Sequence, residues 1–355
     1  MKHWLETALN NAWYDTRPSW TAYLTPLEVL FRYMSFRRKE KDQKVNSPLP
    51  VPVVVVGNIT VGGTGKTPLL QALSLELRQR GWNPGIVSRG YGGARSSEPL
   101  RVLSSTSVSE CGDEPKLLAD TTGCPVVVDV ERYRGANFLV ELGCTIILSD
   151  DGLQHYRLPR DVEIVVVDGA RGFGNGRLLP VGPLRESISR CETVDYIISN
   201  GAMNTQVANL VNDMNSSLVS ATMEILPTCF KQVATGEEMP LDSIQFTQDA
   251  NAITGIGNPN RFANTLRSIP SISESIPLST FPDHHSFTFS DLEAYSGQPL
   301  LMTSKDAVKC QSLIEKSPLL DASQWWSVVV GPRLSTGFYD QFIEKIDRIK
   351  KDKLV

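Results

Sequence analysis

The chain has 355 residues, 41% of them hydrophobic, and a net charge of -4 at neutral pH. That length predicts two domains, or one with a large insertion, and the apolar content excludes wholesale disorder. A slight acidic excess argues against nucleic acid as the main partner, because phosphate backbones are usually met by a basic surplus.

Residues 1–44 differ in character from the rest of the chain. Between Trp20 and Phe36, Leu24, Leu27, Leu30, Phe31 and Met34 recur at helical spacing, interrupted by Glu28 and Arg32. Arg37, Arg38, Lys39, Lys41 and Lys44 come next, diluted by Glu40 and Asp42. An apolar face, aromatic residues and adjacent cations describe a helix lying in a membrane interface, where each cation near an anionic leaflet adds about 1 kcal/mol. The same pattern fits an ordinary helix packed on a domain.

Val53–Val56 is a β-branched run expected as a buried strand, and Pro68–Arg80 is expected as a helix closed by Gly81. Further strands are expected at Gly85–Ser88, Pro125–Asp129, Thr145–Ser149, Val162–Asp168 and Val194–Ser199, with a helix over Glu131–Leu142. This alternation predicts a mostly parallel sheet covered on both faces. Asn200–Gln248 is polar and only partly strand-like, and is expected as a connector. A second α/β pattern starts near Asp249, with strands at Ala252–Gly255, Pro299–Thr303 and Trp326–Val330. Phe338–Lys350 closes the chain as a helix with a basic end. The expected division is 1–44, a phosphate-loop domain over 45–225, a smaller α/β domain over 226–335, and a helix over 336–355.

Six cysteines, at 111, 124, 144, 191, 229 and 310, form no C-x-x-C pair and no zinc-ligand spacing. They are expected as reduced thiols in the cytoplasm. No secretory signal opens the sequence, and no stretch reaches the roughly 18 to 20 apolar residues of a membrane span.

The strongest local signal is GGTGKTP, Gly62–Pro68, between an expected strand and an expected helix. Glycines let backbone N–H groups turn inward around phosphate oxygens, and a helix N-terminus adds partial positive charge. Gly62, Gly63, Thr64 and Gly65 form the cradle. Lys66 is suited to the β- and γ-phosphates of ATP, and the Thr67 hydroxyl to Mg²⁺. Thr60 stands where the strict G-x-x-x-x-G-K-[ST] pattern has glycine, so the loop is a variant. The run Cys144–Leu148 ends in Ser149, Asp150 and Asp151. Carboxylates at that edge of a neighbouring parallel strand suit the nucleotide's metal, and either aspartate fits.

Other polar clusters narrow the reading. GDEP, Gly112–Pro115, offers Asp113 and Glu114. A kinase acting on an alcohol needs a carboxylate to accept the hydroxyl proton. Asp113 fits that role and equally fits an N-cap ahead of Pro115. DDGLQH adds Gln154 and His155, and FPDHH holds His284 and His285 beside Asp283. GNGRLLPVGPLRE, Gly174–Glu186, carries Arg177 and Arg185, either as phosphate clamps or as solvated loop charges.

Taken together these strings, with SRGYGG (Ser88–Gly93), TGIGNPNRF (Thr254–Phe262), FPDHHSF (Phe281–Phe287) and SKDAVK (Ser304–Lys309), resemble the tetraacyldisaccharide 4'-kinase (lipid A 4'-kinase) family of Gram-negative bacteria. They keep the family's order over most of the chain, and the Thr60 departure is like the family's own loop. The resemblance implies transfer of the ATP γ-phosphate to the 4'-hydroxyl of tetraacyldisaccharide 1-phosphate, giving lipid IVA, at the cytoplasmic face of the inner membrane. It implies two α/β/α domains joined by a two-stranded β linker, with the site in the cleft between them. It implies Asp113 as base paired with His284, although His285 adjoins it. Lys66 is implied at the transferring phosphoryl group. Thr67, Asp150 and Asp151 are implied on Mg²⁺, and Arg89 and Tyr91 on the lipid acceptor. No obligate protein partner is expected. Two other classes compete: a P-loop switch ATPase of the partitioning or metallochaperone type, and a nucleotide-binding membrane scaffold. The switch ATPase does not account for GDEP, FPDHH or the second α/β unit, and the scaffold predicts that Lys66→Ala abolishes nucleotide binding yet leaves the biological role intact.

Overall fold

The computed structural model describes residues 2–15, 20–42, 47–94, 97–213, 219–283, 285–334 and 336–353. In chain order the elements are α1 (Lys2–Tyr14), α2 (Thr25–Asp42), β1 (Val53–Gly57), α3 (Lys66–Gln79), β2 (Pro84–Ser88), β3 (Leu100–Arg101), α4 (Val108–Cys111), α5 (Asp113–Thr122), β4 (Val126–Val128), α6 (Arg132–Glu141), β5 (Ile146–Asp150), β6 (Val162–Asp168), β7 (Tyr196–Asn200) and α7 (Thr205–Asp213). The second half adds β8 (Val219–Gln232), β9 (Glu238–Met239), β10 (Asn251–Thr254), α8 (Pro259–Arg267), β11 (Leu278–Thr280), α9 (Phe289–Leu292), β12 (Leu300–Thr303), α10 (Ser304–Lys316), β13 (Trp325–Leu334) and α11 (Thr336–Lys353).

The strands hydrogen-bond in the order β11-β10-β12-β13-β8-β7-β6-β1-β5-β2-β4-β3. From β4 to β8 every neighbouring pair is parallel, and so is every pair from β11 to β13. Successive strand residues face opposite sides, so β1 feeds two cores. Val54 and Val56 pack with Leu70, Leu73 and Leu77 of α3, while Val53 and Val55 pack with Ala136 and Leu139 of α6. The smaller sheet divides likewise, with Ala252 and Leu301 on one face and Ile253, Leu300 and Met302 on the other.

The expected connector contains a 14-residue strand. β8 runs parallel to β7 up to Met223, then pairs antiparallel with β13 from Met223 to Gln232. This ribbon joins the two units. Burial alternates along it from Ala221 to Cys229, with Thr222, Glu224, Leu226 and Thr228 exposed. Pro227 argues against a strand because it lacks an N–H, but the register shifts between Val329 and Val330 opposite it, and a bulge tolerates proline.

α11 crosses back to the larger unit. Phe338, Phe342 and Ile346 join the core under α3, and Phe338 meets Tyr196 edge-to-face with centroids 5.5 Å apart. The larger unit therefore draws on both ends of the sequence.

α2 presents an unusual face to solvent. The stripe Leu24, Glu28, Phe31, Ser35, Lys39 and Asp42 turns inward, whereas Leu30 is 53% exposed and Met34 61%. Glu28, 2% exposed, accepts from Arg177 (2.5 and 3.1 Å) and from the Leu178 amide (2.9 Å). The polar residue anchors the helix, and Leu27, Val29, Leu30, Tyr33, Met34 and Phe36 point outward. Among the described residues no helix is long and apolar enough to cross a membrane.

Candidate active site

β1 lies between β5 and β6, so the loop after it emerges where the chain leaves the sheet in both directions, the usual crevice of open α/β folds. Gly65 caps α3 in the left-handed region at φ 101°. An added Cβ there would overlap Asn200 Nδ2 and stand 3.1 Å from Met223 Cε. Asn200, at the end of β7, donates to the Thr64 carbonyl at 2.8 Å, so the loop is pinned from behind by the neighbouring strand.

Lys66 stands 3.5 Å from Asp151. Asp151 adopts φ 47°, uncommon for a residue other than glycine, and receives both terminal nitrogens of Arg185 at 3.0 and 3.1 Å. Burial would raise its pKa, but Lys66 and Arg185 hold it well below the usual carboxylate range. Arg185 also donates to the Thr60 carbonyl at 3.1 Å and to the Asn58 side chain.

Asp150 is different. It is 3% exposed at the end of β5 and accepts from Ser88 Oγ at 3.0 Å. Its Oδ1 is buried and has no hydrogen-bond partner among the described residues. Burial, then the nearby Glu114 charge, pushes its pKa up to about 7. A buried carboxylate oxygen on the cleft that the phosphate loop and Thr67 also line fits Mg²⁺, which takes hard oxygen ligands and needs only one or two carboxylates when phosphates supply the rest. Among the described residues no three His, Cys, Asp or Glu side chains form a self-sufficient metal cage.

The wall beyond Asp150 is basic. Arg132, 2% exposed, donates to the Asp150 carbonyl at 3.1 Å, and its Nε has no hydrogen-bond partner among the described residues. His155 Nε2 is buried and likewise unpartnered. Burial, then Arg132 and Arg160, lowers the His155 pKa to about 4, so the ring is neutral at physiological pH. Gln154 donates to the Asn58 carbonyl (3.1 Å) and to Glu186 (2.6 Å). Arg89 and Tyr91 line the same cleft.

Asp113 is the first residue of α5, where it accepts from the Glu114 amide at 3.0 Å. Gly112, at φ 89°, precedes it. A Cβ there would come 2.6 Å from the Tyr91 carbonyl, so the SRGYGG and GDEP turns pack backbone to backbone. From the smaller unit, Lys305 reaches Asp113 at 3.5 Å and Glu114 at 3.2 Å, and Lys309 reaches Asp113 at 3.6 Å. His284 lies outside the described residues. Its neighbour His285 hydrogen-bonds Asp291 at 3.1 Å and stacks on Phe281 at 4.8 Å, a structural engagement within the smaller unit.

The structure thus gathers Gly62–Thr67, Asp150, Asp151, Glu114, Gln154, His155, Arg89, Tyr91 and Arg185 around one cleft of about 2520 Å³, beside Asp113. That volume exceeds the few hundred to 1,000 Å³ of ordinary small-molecule pockets and leaves room for a nucleotide and a large acceptor together. Arg177 is not among them, because it is spent on Glu28. Arg132, Asp168, Arg261 and Lys305 are cleft residues that sequence reasoning missed. Asp168, another carboxylate at a strand's C-terminal edge, and Lys305 in SKDAVK carried a visible signal. Arg132, the first residue of α6, carried none.

A family model described as tetraacyldisaccharide-1-P 4'-kinase matches residues 20–347. The tetraacyldisaccharide 4'-kinase of Alcanivorax borkumensis is 41% identical over 338 residues, covering 95% of this chain and 96% of that one. The one from Pseudomonas aeruginosa strain LESB58 is 39% identical over 342 residues, covering 95% and 96%. Among solved structures, LpxK from Aquifex aeolicus, in complex with ATP, superposes with a TM-score of 0.73 at 27% identity, covering 93% of this chain and 99% of that one. With the phosphate loop, the paired aspartates and the two-unit cleft already in place, these matches make the chain a member of the tetraacyldisaccharide 4'-kinase family.

Proposed function

We propose that this enzyme transfers the γ-phosphate of ATP to the 4'-hydroxyl of a tetraacylated disaccharide 1-phosphate, working at the cytoplasmic face of the inner membrane. The observation that carries the reading is the arrangement of the cleft. The phosphate loop and Asp150 form one wall, Asp113 and Glu114 lie beside them, and the smaller unit closes over both. A switch ATPase needs no carboxylate pair held by a second unit.

In this reading Lys66 leaves Asp151 for the β- and γ-phosphates, and the amides of Gly62–Gly65 hold the phosphate oxygens. Thr67 and Asp150 would hold Mg²⁺, with Asp151 as the neighbouring carboxylate, and the ion would supply positive charge to the transferring phosphates. Asp113 accepts the proton of the acceptor hydroxyl as its oxygen bonds to the γ-phosphorus. The bond from that phosphorus to the β-phosphate oxygen breaks, and ADP leaves with the electron pair. His284 pairs with Asp113 from the smaller unit. The engagement of His285 with Asp291 supports that register. Arg89, Tyr91, Glu114, Gln154, His155 and Arg132 contact the acceptor, with His155 as a neutral hydrogen-bonding group. Arg185 braces the phosphate loop, and Arg177 holds α2, in place of the phosphate contacts expected of them. The outward apolar face of α2, followed by Arg37, Arg38 and Lys41, rests in the leaflet that holds the acyl chains. In this reading the domains divide near residues 225 and 335, and α11 (Thr336–Lys353) returns to the larger unit.

The test is transfer of labelled γ-phosphate from ATP to tetraacyldisaccharide 1-phosphate in detergent micelles with Mg²⁺, with Lys66→Ala as control. A labelled lipid that disappears in the variant is the expected result. Folded, ATP-binding protein that labels no lipid would overturn the reading.

A further inference from the structure

Lys305 is the second residue of α10, in the smaller unit, yet its ammonium lies against the larger one. It stands 3.2 Å from Glu114, 3.5 Å from Asp113 and 3.7 Å from Asp283 in the FPDHH loop. The first turn of a helix is the unfavourable end for a cation. Burial also disfavours the charge, and the side chain is only 16% exposed. Even so, Glu114, Asp113 and Asp283 together raise its pKa, so the ammonium is held by carboxylates from both sides of the cleft.

Lys309, one turn along, is not equivalent. It also reaches Asp113, at 3.6 Å, but is bound more closely to Asp306 of its own helix, at 3.2 Å, and is covered by the Phe287 ring at 5.8 Å. Lys305 alone of the two lines the cleft that contains Lys66 and Asp150. α10 is itself fixed. Asp306 accepts from the Gly255 amide at 3.1 Å, and Thr303 caps the helix. The ammonium is thus carried on a rigid element that moves with the smaller unit.

We propose that Lys305 is a positioning residue for phosphoryl transfer: it ties Asp113 and Glu114 to Asp283 across the cleft, and so sets the proton-accepting carboxylate only when the two units are closed. This rests on Asp113 as the base. Opening the cleft would take Lys305 and Asp283 away together, and Asp113 would lose the ammonium that ties it to Asp283, so turnover is coupled to closure. The acceptor proton still goes to Asp113, and Lys305 neither gains nor loses one.

The experiment compares Lys305→Met, Lys305→Arg, Asp113→Asn and the Lys305→Met/Asp113→Asn pair in the full chain, reading kcat, KM for ATP, KM for the acceptor and melting temperature. Loss of orientation predicts that Lys305→Met lowers kcat about 10²-fold with the KM for ATP nearly unchanged. Lys305→Arg recovers much of that loss. In the Asp113→Asn background the methionine has no further effect, because residues acting as a unit are not additive. A kcat for Lys305→Met near the native value, or a loss that multiplies with that of Asp113→Asn, overturns the proposal. Should Lys305→Met melt far below the native chain, Lys305→Gln, which keeps a hydrogen-bond donor, gives the same two outcomes. Near-native turnover in Asp113→Asn would remove the base reading itself. Slow Asp113→Asn beside near-native Lys305→Met would remove only Lys305.

Discussion

Arg261, on the first turns of α8 in the smaller unit, meets Asp168, at the end of β6 in the larger one, at 2.9 Å beside the phosphate loop. Asp168 also binds Arg171 at 2.8 Å, and Arg171 donates to the Gly63 carbonyl at 2.8 Å. One buried carboxylate therefore links loop geometry to the smaller unit. Burial would raise its pKa, but Arg261 and Arg171 bring it below its ordinary value.

Asp168→Asn is expected to weaken both arginine contacts while keeping the shape. The cost is about 1–3 kcal/mol, the range for leaving a buried charged group poorly satisfied. The KM for ATP should rise about tenfold, since 1.4 kcal/mol is tenfold in affinity. Thermal melting and ATP titration measure the two effects. An unchanged KM would separate Asp168 from the nucleotide site.

Gly65→Ala should be far more harmful than an ordinary surface substitution. The left-handed backbone alone costs about 1–2 kcal/mol for a residue with a Cβ, and the added methyl collides with Asn200. Nucleotide binding should be lost before the fold is. Native-like ATP affinity in this variant would contradict the way Asn200 pins the loop.

Glu28 makes α2 docking sensitive to pH. Burial would raise its pKa, but hydrogen bonds from Arg177 and the Leu178 amide bring it below the ordinary value. A depressed folded-state pKa contributes stability that is complete at neutral pH and is lost as pH falls below about 4. Glu28→Gln should therefore lower the melting temperature at pH 7, and the gap should close near pH 3. The expected loss is about 1 kcal/mol, because Arg177 is 45% exposed and solvent screens the pair.

The outward face of α2 should govern contact with lipid and leave nucleotide chemistry alone. Leu30→Glu with Met34→Glu is expected to abolish flotation with anionic vesicles and to raise the KM for the acylated acceptor, while ATP affinity stays the same. Retained flotation would move membrane contact elsewhere on the molecule.

Much of the larger unit is legible in the sequence because its signals are local. Val53–Val56 reads as a strand from β-branched composition. Gly62–Thr67 reads as a phosphate cradle from the spacing of glycines ahead of a helix, and the strand expected at Val162–Asp168 has those same ends in the structure. The bridging strand β8 is not legible as a strand. Pro227 lies within it, and the bulge in β8 beside this proline is set by pairing with β13 across about a hundred residues.

The sequence by itself determined the family, the phosphate loop and the acidic and basic residues available to the cleft, since each is written in short contiguous strings. Only the tertiary structure decided which charges meet. It separated Asp150, buried with an oxygen that has no partner among the described residues, from Asp151, neutralised by Lys66 and Arg185. It assigned Arg177 to Glu28 and brought Lys305 to Asp113 and Glu114. The physical reason is that a charge's role depends on its burial and on the partner within a few ångströms, and those partners lie up to 192 residues away along the chain, from Asp113 to Lys305.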